Sequence, residues 1–424
     1  MQPYSGGLEG ILGECLNTTY NAIHYAEEHG IDNRREMKGF YRVLKDTKLP
    51  SCYKVAVIAR ACQVLASRKK SDRRGTRLRY PKPLKPVVCI TSGFFITMKG
   101  RLFIPLRRDE YFDVQLGHYV METVEGKKVR SLTVTSSSLS LCYSDDVKVA
   151  PAETVYGVDR NEKNLTFGDS ERVIQVDMTK AIKVKQMTRE VVGSFKRNDA
   201  RVRSHLARKY WRRAFYRTNS LLHAATNFVI ETASRDRAAI AIEDLTDISR
   251  MYRKGNGQTT DYRFRLNSWP HWKAKRMLEY KSGWSGLTLI QLTKSETYGS
   301  SSKCSACGEK LHNPERGDTE HRRMLWCQTC SKWIDRDVNA ALNLSTRGLA
   351  RFASSLPRSR RKKDRSQQAD LTSPSQTEEK GLAGEAVRGN GTKTLILRVD
   401  ASKLIHPAWS GELAEPALRC RGRP

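Results

Sequence analysis

Four cysteines in the last third of the chain constrain its fold more than any other feature. Cys304 and Cys307 form one C-x2-C pair, Cys327 and Cys330 form a second, and 19 residues separate the pairs. Two residues between thiolates let a tight turn direct both sulfurs at one ion, and two such pairs supply the four ligands of a tetrahedral zinc site. The intervening loop is polar, so we expect bound metal to supply much of its folding free energy. The spacing therefore predicts a zinc ribbon at 301–333.

Disulfide bonds and a redox-active C-x2-C are the alternatives, but two matched pairs favour a metal site. The other six cysteines are scattered, at positions 15, 52, 62, 89, 142 and 420. Scattered thiols in a chain of 424 residues are typical of a reducing compartment. The first residues lack the charged and apolar regions of a secretory signal, and no apolar run approaches the roughly 20 residues of a membrane span. We therefore expect a cytoplasmic protein with no membrane partner.

The chain is strongly basic. Lys and Arg number 76 against 45 Asp and Glu, which gives a net charge of +31. The excess recurs at 68–85, 196–217, 250–281 and 357–365. Such a charge favours polyanions, because phosphates release counterions when cations bind them. A basic face without a partner is the alternative, but charge spread over several segments favours a nucleic-acid-binding protein.

The sequence pattern changes three times along the chain. Apolar residues at helical spacing predict a small helical unit at 1–67, followed by a basic linker at 68–85. Short β-rich runs between turns predict a small antiparallel barrel or sandwich at 86–150. Apolar strands followed by long helices predict a mixed α/β domain from 151 onward. A composition rich in Ser, Arg and Lys predicts a largely disordered basic tail at 351–424.

Acidic residues stand at the ends of elements predicted in the α/β domain. Asp159 and Glu243 each end an apolar strand, and either Asp335 or Asp337 begins a helix. A carboxylate beside such strands is unfavourable unless a cation compensates it. Three acids from separate elements can hold one or two Mg²⁺ ions, which use few protein carboxylates and complete their shell with water and phosphate. The pattern predicts a metal-dependent phosphodiesterase, in which metal activates water and stabilises the leaving oxygen.

Each acid also has an ordinary structural explanation, as a turn residue, a helix cap or an ion-pair partner. The joint pattern, with a predicted zinc ribbon beside it, favours the catalytic interpretation. Spacing alone does not choose between Asp335 and Asp337.

The segment 196–217 alternates cations with aromatic rings on a predicted helix. Cations can follow a phosphate backbone, while the rings either stack on bases or pack inward. We expect most of the rings to lie in the core, and we expect Arg208, Arg212 and Arg213 to contact nucleic acid.

Five short stretches carry a family resemblance. They are Tyr156–Asn161, Ile242–Leu245, Lys275–Lys281, Ser302–Gly308 and Asp335–Ala341. Together they resemble TnpB, the OrfB-type protein of insertion-sequence transposons. TnpB is an RNA-guided DNA endonuclease with a RuvC-type core, and it is related to the type V CRISPR nucleases.

The resemblance implies an α/β fold: an RNase H-like (RuvC-type) nuclease core at 151–300, with the zinc ribbon inserted before a final nuclease helix at 334–350. It also implies a helical recognition unit and a β-barrel-like wedge domain before the core. The family usually opens with a strand that joins the wedge barrel, whereas this chain is expected to begin with a helix.

The resemblance assigns the catalytic, magnesium-binding acids to Asp159, Glu243 and Asp337, and so prefers Asp337 over Asp335. It implies a guide RNA, target DNA with a short flanking motif, and structural Zn²⁺ beside catalytic Mg²⁺. The leading hypothesis is therefore an RNA-guided, Mg²⁺-dependent DNA endonuclease associated with a transposon. A catalytically inactive nucleic-acid-binding regulator and a strand-transfer transposase are the alternatives. The presence of all three acids argues against the first, and the family resemblance argues against the second.

Overall fold

The computed structural model describes residues 2–405, apart from 4–6, 32, 74, 76–79, 99, 108–109, 196–198, 246–247, 249–256, 316–317, 319, 322 and 356–393. The chain divides into two compact units, Met1–Asp146 and Val147–Pro424. Within the described part, no helix has both the length and the apolar composition that crossing a membrane requires.

The first unit packs helices and two antiparallel sheets around one hydrophobic core. Leu12, Val57 and Ile90 come from different elements of this unit and all lie in that core. The strand orders are β1-β7-β6-β2 in one sheet and β3-β4-β5 in the other. The elements are β1 (Gln2–Pro3), α1 (Glu9–Glu28), α2 (Lys38–Val43), α3 (Ser51–Asp72), β2 (Val87–Thr91), β3 (Ile96–Met98), β4 (Arg101–Arg107), β5 (Glu110–Gln115), α4 (His118–Val124), β6 (Lys128–Thr135) and β7 (Ser138–Ser144).

Three details of the first unit differ from the sequence predictions. A two-residue strand precedes the first helix, and Gln2 pairs with Leu139 of β7. Helix α3 continues to Asp72, so the predicted linker at 68–85 begins as helix. Strand β5 and helix α4 were not predicted, because their polar residues hide the period of the apolar ones.

The second unit is built on a six-stranded mixed sheet with the order β12-β11-β8-β9-β10-β15. Strands β8, β9 and β10 are antiparallel neighbours, whereas β11 runs parallel to β8 and β12 parallel to β11. The elements are β8 (Thr154–Arg160), β9 (Asn164–Gly168), β10 (Arg172–Asp177), α5 (Thr179–Gly193), α6 (Ala207–Arg235), β11 (Ala238–Ile242), α7 (Thr260–Ser268), α8 (His271–Trp284), β12 (Leu289–Gln291), α9 (Lys294–Thr297), β13 (Met324–Cys327), β14 (Lys332–Asp335), α10 (Arg336–Ser355) and β15 (Leu395–Asp400).

Helix α10 lies directly on one face of this sheet. The Ser345 hydroxyl donates to the carbonyl of Val155 in β8 at 2.6 Å. Gly157 makes this closeness possible, because a Cβ there would lie 2.0 Å from the Ala341 carbonyl oxygen. The opposite face carries a larger apolar core that includes residues of α5, α6 and α8. The sheet is therefore buried on both faces, as its uninterrupted apolar strands require.

The last described strand forms an edge of the sheet. β15 pairs in parallel with β10 along its whole length, from Arg172 opposite Leu395 to Asp177 opposite Asp400. The prediction of a largely disordered tail at 351–424 is therefore wrong for 394–405, and also for the end of α10, which reaches Ser355. The rest of the predicted tail, 356–393 and 406–424, lies outside the described residues.

Candidate active site

Two of the predicted acids lie side by side at the carboxyl ends of neighbouring strands. β8 and β11 run parallel, and their register places Ile242 opposite Val158. The residues that follow this pair are Glu243 and Asp159. Asp159 is only 8% exposed, so its carboxylate is largely withdrawn from solvent.

Helix α10 brings the third acid to the same end of β8. Its backbone at Ala341 lies against Gly157, and one turn nearer its N-terminus comes Asp337, at the level of Asp159. Asp337 is 2% exposed, and Asn164 Nδ2 of β9 donates to its Oδ2 at 2.8 Å. The fold thus gathers three carboxylates that are far apart in the sequence.

Asp335 has a different role from Asp337. Its Oδ1 accepts hydrogen bonds from the backbone N–H groups of Asp337 at 2.9 Å and Val338 at 3.1 Å. This is the geometry of an N-cap, in which a side-chain oxygen satisfies the first free amides of a helix. Asp335 therefore starts the helix, and Asp337 is the acid that faces the site.

The charges of Glu243 and Asp337 strengthen the preference of Asp159 for a proton. Burial raises the pKa of Asp159 well above its ordinary value, and the charges of Glu243 and Asp337 raise it further. The Asn161 amide opposes this, since its Nδ2 donates to Asp159 Oδ2 at 2.5 Å. Burial also raises the pKa of Glu243, against the lowering effect of the Arg160 guanidinium. Buried carboxylates that repel one another form a place where a cation is stabilising.

Arg160 is a buried cation that the sequence analysis did not single out. It is 2% exposed. Its Nη2 donates to the Glu243 carbonyl at 2.5 Å and its Nη1 to the His271 carbonyl at 3.2 Å. Burial lowers the pKa of Arg160, and the nearby acids raise it. This side chain fixes the backbone after β11 and the start of α8 beside the acids; its only sequence signal was its position directly after Asp159.

The predicted zinc ribbon contributes a second cation. Arg323, just before β13, forms an ion pair with Asp337, and its side chain is 47% exposed. No spacing in the sequence predicts this pair, because it depends on how the ribbon folds onto α10.

The four predicted zinc ligands form one compact group. Cys304 Sγ lies 3.9 Å from Cys330 Sγ, Cys307 Sγ lies 3.5 Å from Cys327 Sγ, and all four sulfurs are within 4.8 Å of one another. Zn–S bonds of about 2.3 Å in a tetrahedron separate sulfurs by roughly 3.8 Å, so the group fits one zinc ion. Among the described residues, this is the only such compact set of His, Cys, Asp or Glu ligand atoms; the three carboxylates are more widely spaced.

Two amides of α10 hold the first cysteine turn. Asn339 Oδ1 accepts from the Ser305 backbone at 2.8 Å, and its Nδ2 donates to the Lys303 carbonyl at 2.7 Å. Asn343 Nδ2 donates to the Ser300 carbonyl at 2.8 Å. The helix that carries Asp337 is therefore hydrogen-bonded to the ribbon.

The predicted nucleic-acid contacts lie on the first half of α6. Arg208, Arg212 and Arg213 are all exposed there, well apart from the acids in the sequence. The expectation that the neighbouring rings pack inward is wrong, because every ring of this half is at least 36% exposed: Tyr210, Trp211, Phe215 and Tyr216.

Comparison with known proteins gives a consistent result. Residues 271–344 match the family model of the Cas12f1-like TNB domain. A TnpB-like protein of Methanocaldococcus jannaschii is 29% identical over 226 residues, which cover 51% of this chain and 77% of that protein. A candidate RNA-guided DNA endonuclease of Streptomyces pristinaespiralis is 30% identical over 243 residues, which cover 54% of this chain and 55% of that protein.

A solved structure of a Cas12f1-sgRNA-target DNA complex is also similar, with a TM-score of 0.49 and 13% identity, over 79% of this chain and 81% of that chain. The family-model match includes three of the motif stretches, Lys275–Lys281, Ser302–Gly308 and Asp335–Ala341, together with all four clustered cysteines. The chain is a TnpB-type relative of the type V nucleases.

Proposed function

We propose that this protein is an RNA-guided DNA endonuclease whose catalytic acids are Asp159, Glu243 and Asp337. The observation that carries the proposal is the convergence of these three carboxylates, from a strand, the end of a second strand and the start of a helix. The strand order of the mixed sheet supports the RNase H-like core that the resemblance implies. The name of the Streptomyces relative supports RNA guidance and DNA cleavage.

The donor set fits magnesium. Mg²⁺ prefers hard oxygen ligands and binds through a few carboxylates, and the mutual repulsion of Asp159, Glu243 and Asp337 is what a divalent ion would relieve. When bound, Mg²⁺ supplies an activated water and stabilises the charge that develops on the leaving oxygen of a phosphodiester. We assign all three acids to holding the metal.

The residues around the acids position them. Asn161 and Asn164 each donate one hydrogen bond to a carboxylate, to Asp159 and Asp337 respectively. Such bonds fix the orientation of a metal ligand, and their loss commonly lowers metal affinity about 10–100-fold. Arg323 neutralises part of the charge on Asp337, so it limits repulsion until substrate and metal bind.

The cysteine group is proposed to hold structural Zn²⁺. The four thiols leave no open ligand position for a substrate, which is typical of structural rather than catalytic zinc. Because Asn339 and Asn343 join the first cysteine turn to α10, zinc would keep the helix of Asp337 in place.

The partners are proposed to be a guide RNA and a matching DNA strand. In effectors of this kind base pairing selects the sequence, and the protein holds the hybrid through its shape and backbone charge. The net charge of +31 and the exposed arginines of α6 suit that task.

The test is cleavage by the full chain purified with its RNA. We expect it to cut DNA that matches the RNA in the presence of Mg²⁺ and not after chelation. Asp159→Asn should abolish cutting while RNA binding is unchanged, and Glu190→Gln, which changes an exposed acid of α5, should cut normally. Full activity of Asp159→Asn would refute the catalytic assignment; binding of RNA and DNA without cutting by the unaltered protein would favour the inactive regulator.

A further inference from the structure

Helices α6 and α8 present an unusual number of exposed aromatic rings. Large rings are normally buried, and a contiguous exposed apolar patch marks an interaction surface. We call these residues the ring surface. Its members, each between 36% and 55% exposed, are Tyr210, Trp211, Phe215 and Tyr216 of α6 and Trp272, Tyr280 and Trp284 of α8.

The two helices form one surface because they are joined along their length. Lys273 Nζ of α8 lies 4.1 Å from the centre of the Phe215 ring in α6. Further along, the hydroxyl of Tyr280 lies 3.5 Å from His223 Nδ1. Both pairs advance in the same direction along the two helices, so α6 and α8 lie side by side over this stretch.

The charge around these rings is positive. Residues 207–217 contain five Lys and Arg and no acid, and Arg208, Arg212 and Arg213 are exposed among the rings. Arg276 of α8 is also exposed. An apolar protein partner is disfavoured by this charge, whereas a polyanion with flat apolar faces suits it.

We propose that the ring surface binds an unpaired nucleic-acid strand, whose bases stack on the rings while the cations hold its phosphates. Stacking on aromatic side chains requires free base faces, and in a duplex the neighbouring base pairs cover those faces. The proposal rests on the proposed function for the presence of nucleic acid, and it adds which form of nucleic acid is bound and where.

The ring surface leads toward the carboxylates. The ring centres of Trp211 and Phe264 are 6.3 Å apart. Phe264 lines a pocket whose lining also includes Arg160, Asn161 and Trp269. Asn161 donates to Asp159. The ring surface is therefore connected, through Phe264 and this pocket, to the amide that orients Asp159.

The experiment measures binding rather than cleavage, in the full chain carrying Asp159→Asn and purified free of nucleic acid. A labelled oligonucleotide of mixed sequence is titrated as a single strand and as a duplex at several salt concentrations. Trp211→Ala with Phe215→Ala removes two rings, and Arg212→Gln with Arg213→Gln removes two charges. Tyr298→Ala is the matched control, because Tyr298 is 80% exposed and lies outside the ring surface.

We expect the ring variant to lose affinity for the single strand by roughly 30-fold, about five-fold or more for each stacked base, at every salt concentration. Its affinity for the duplex should change less than about two-fold, because duplex bases do not reach the rings. The charge variant should instead show a weaker salt dependence of single-strand binding. The slope of the logarithm of the binding constant against the logarithm of the salt concentration should become less steep by about 0.7 for each cation removed. Tyr298→Ala should bind both as the parent does.

Equal losses for single strand and duplex, or no loss for either, would overturn the proposal. Melting curves check that the ring variant folds, and Trp211→Leu with Phe215→Leu repeats the test with apolar side chains that cannot stack. Because cleavage is absent throughout, these results do not depend on the assignment of the acids; a protein that shows ring-dependent binding but never cuts would contradict only the proposed nuclease.

Discussion

Asp335 and Asp337 are two residues apart, yet they have different structural roles. Asp335 accepts two backbone hydrogen bonds at the start of α10, whereas Asp337 is buried beside Asp159. Asp337→Asn should lower cleavage roughly 100-fold or more, since a metal ligand contributes several kcal/mol of transition-state stabilisation. Its stability should change little, because the lost ion pair with Arg323 is offset by reduced repulsion at Asp159. The measurements are cleavage rate and melting temperature.

Asp335→Ala is the complementary change. Loss of an N-cap costs about 0.5–2 kcal/mol of stability, so this variant should melt earlier and still cleave at temperatures where it is folded. A stable but inactive Asp335→Ala would reverse the assignment of the two acids.

Lys281 provides a prediction about pH. It is 9% exposed, and its Nζ donates to the His223 carbonyl at 2.9 Å and to Thr226 Oγ1 at 2.6 Å. Burial lowers its pKa from 10.5 to about 8. Between those two values the unfolded chain binds more protons than the folded chain, so unfolding free energy rises with pH in that window.

Comparison with Lys281→Met isolates this effect from other titrating groups. The stability of the parent relative to Lys281→Met should be constant below pH 8 and should increase as the pH rises toward 10.5. Denaturant titrations at several pH values measure it. If the stability difference between the parent and Lys281→Met stays flat or falls across this window, burial does not lower the pKa of Lys281 in the folded protein.

At the scale of elements, Gly157 decides how α10 meets the sheet. A Cβ at Gly157 would lie 2.0 Å from the Ala341 carbonyl oxygen and 2.3 Å from the Ser345 backbone nitrogen. Gly157→Ala must therefore push the helix off β8, and we expect a loss of about 3 kcal/mol or more. Asp337 moves with the helix, so cleavage should fall as well. Thermal melting and the cleavage rate are the two measurements.

Gly283 in α8 is the matched control for this substitution. A Cβ there meets no atom within 4 Å, and alanine is a better helix former than glycine. Gly283→Ala should leave stability unchanged or raise it by up to about 1 kcal/mol. Similar losses in both variants would mean that the close approach of α10 to β8 is not the cause.

Local pattern was enough to predict some elements and not others. β8 and β11 are uninterrupted apolar runs, and such runs are readable because both faces of the strand are buried. The sequence analysis did not predict β15, because this strand follows a long polar stretch whose composition predicts disorder. β1 has only two residues, too few for any period. The exposed rings of α6 were also misjudged, because helical spacing predicts that rings share a face but not whether that face meets the core.

The choice between the two acids shows the same limit at the site. Both lie at the start of one helix, so sequence spacing treats them alike. The N-cap hydrogen bonds of Asp335 and the packing of α10 on Gly157 separate their roles. Arg160 and Arg323 were missed for a related reason. Each acts through contacts with residues more than ten positions away, which no local pattern records.

At the scale of the whole molecule, the chain after α10 returns to complete the six-stranded sheet. β15 covers the outer edge of β10, and Val399 and Ala401 are buried in the core shared with α6. A chain ending after Ser355 loses these side chains and leaves β10 as an unpaired edge. We expect it to be destabilised by about 3 kcal/mol or more and to aggregate more readily, since an open edge strand pairs with other chains.

A chain ending after Ile405 keeps β15 and serves as the control for this truncation. It should melt with the full-length protein, because the strand and its buried side chains are retained. Val399→Asp in the full-length chain tests the apolar contact without removing any residue. It places a charge in the core, so it should lower stability as the longer truncation does. Equal melting of all these proteins would mean that β15 adds nothing to the sheet. If the melting temperatures instead follow the expected order, β15 stabilises the sheet on which the positions of Asp159, Glu243 and Asp337 depend.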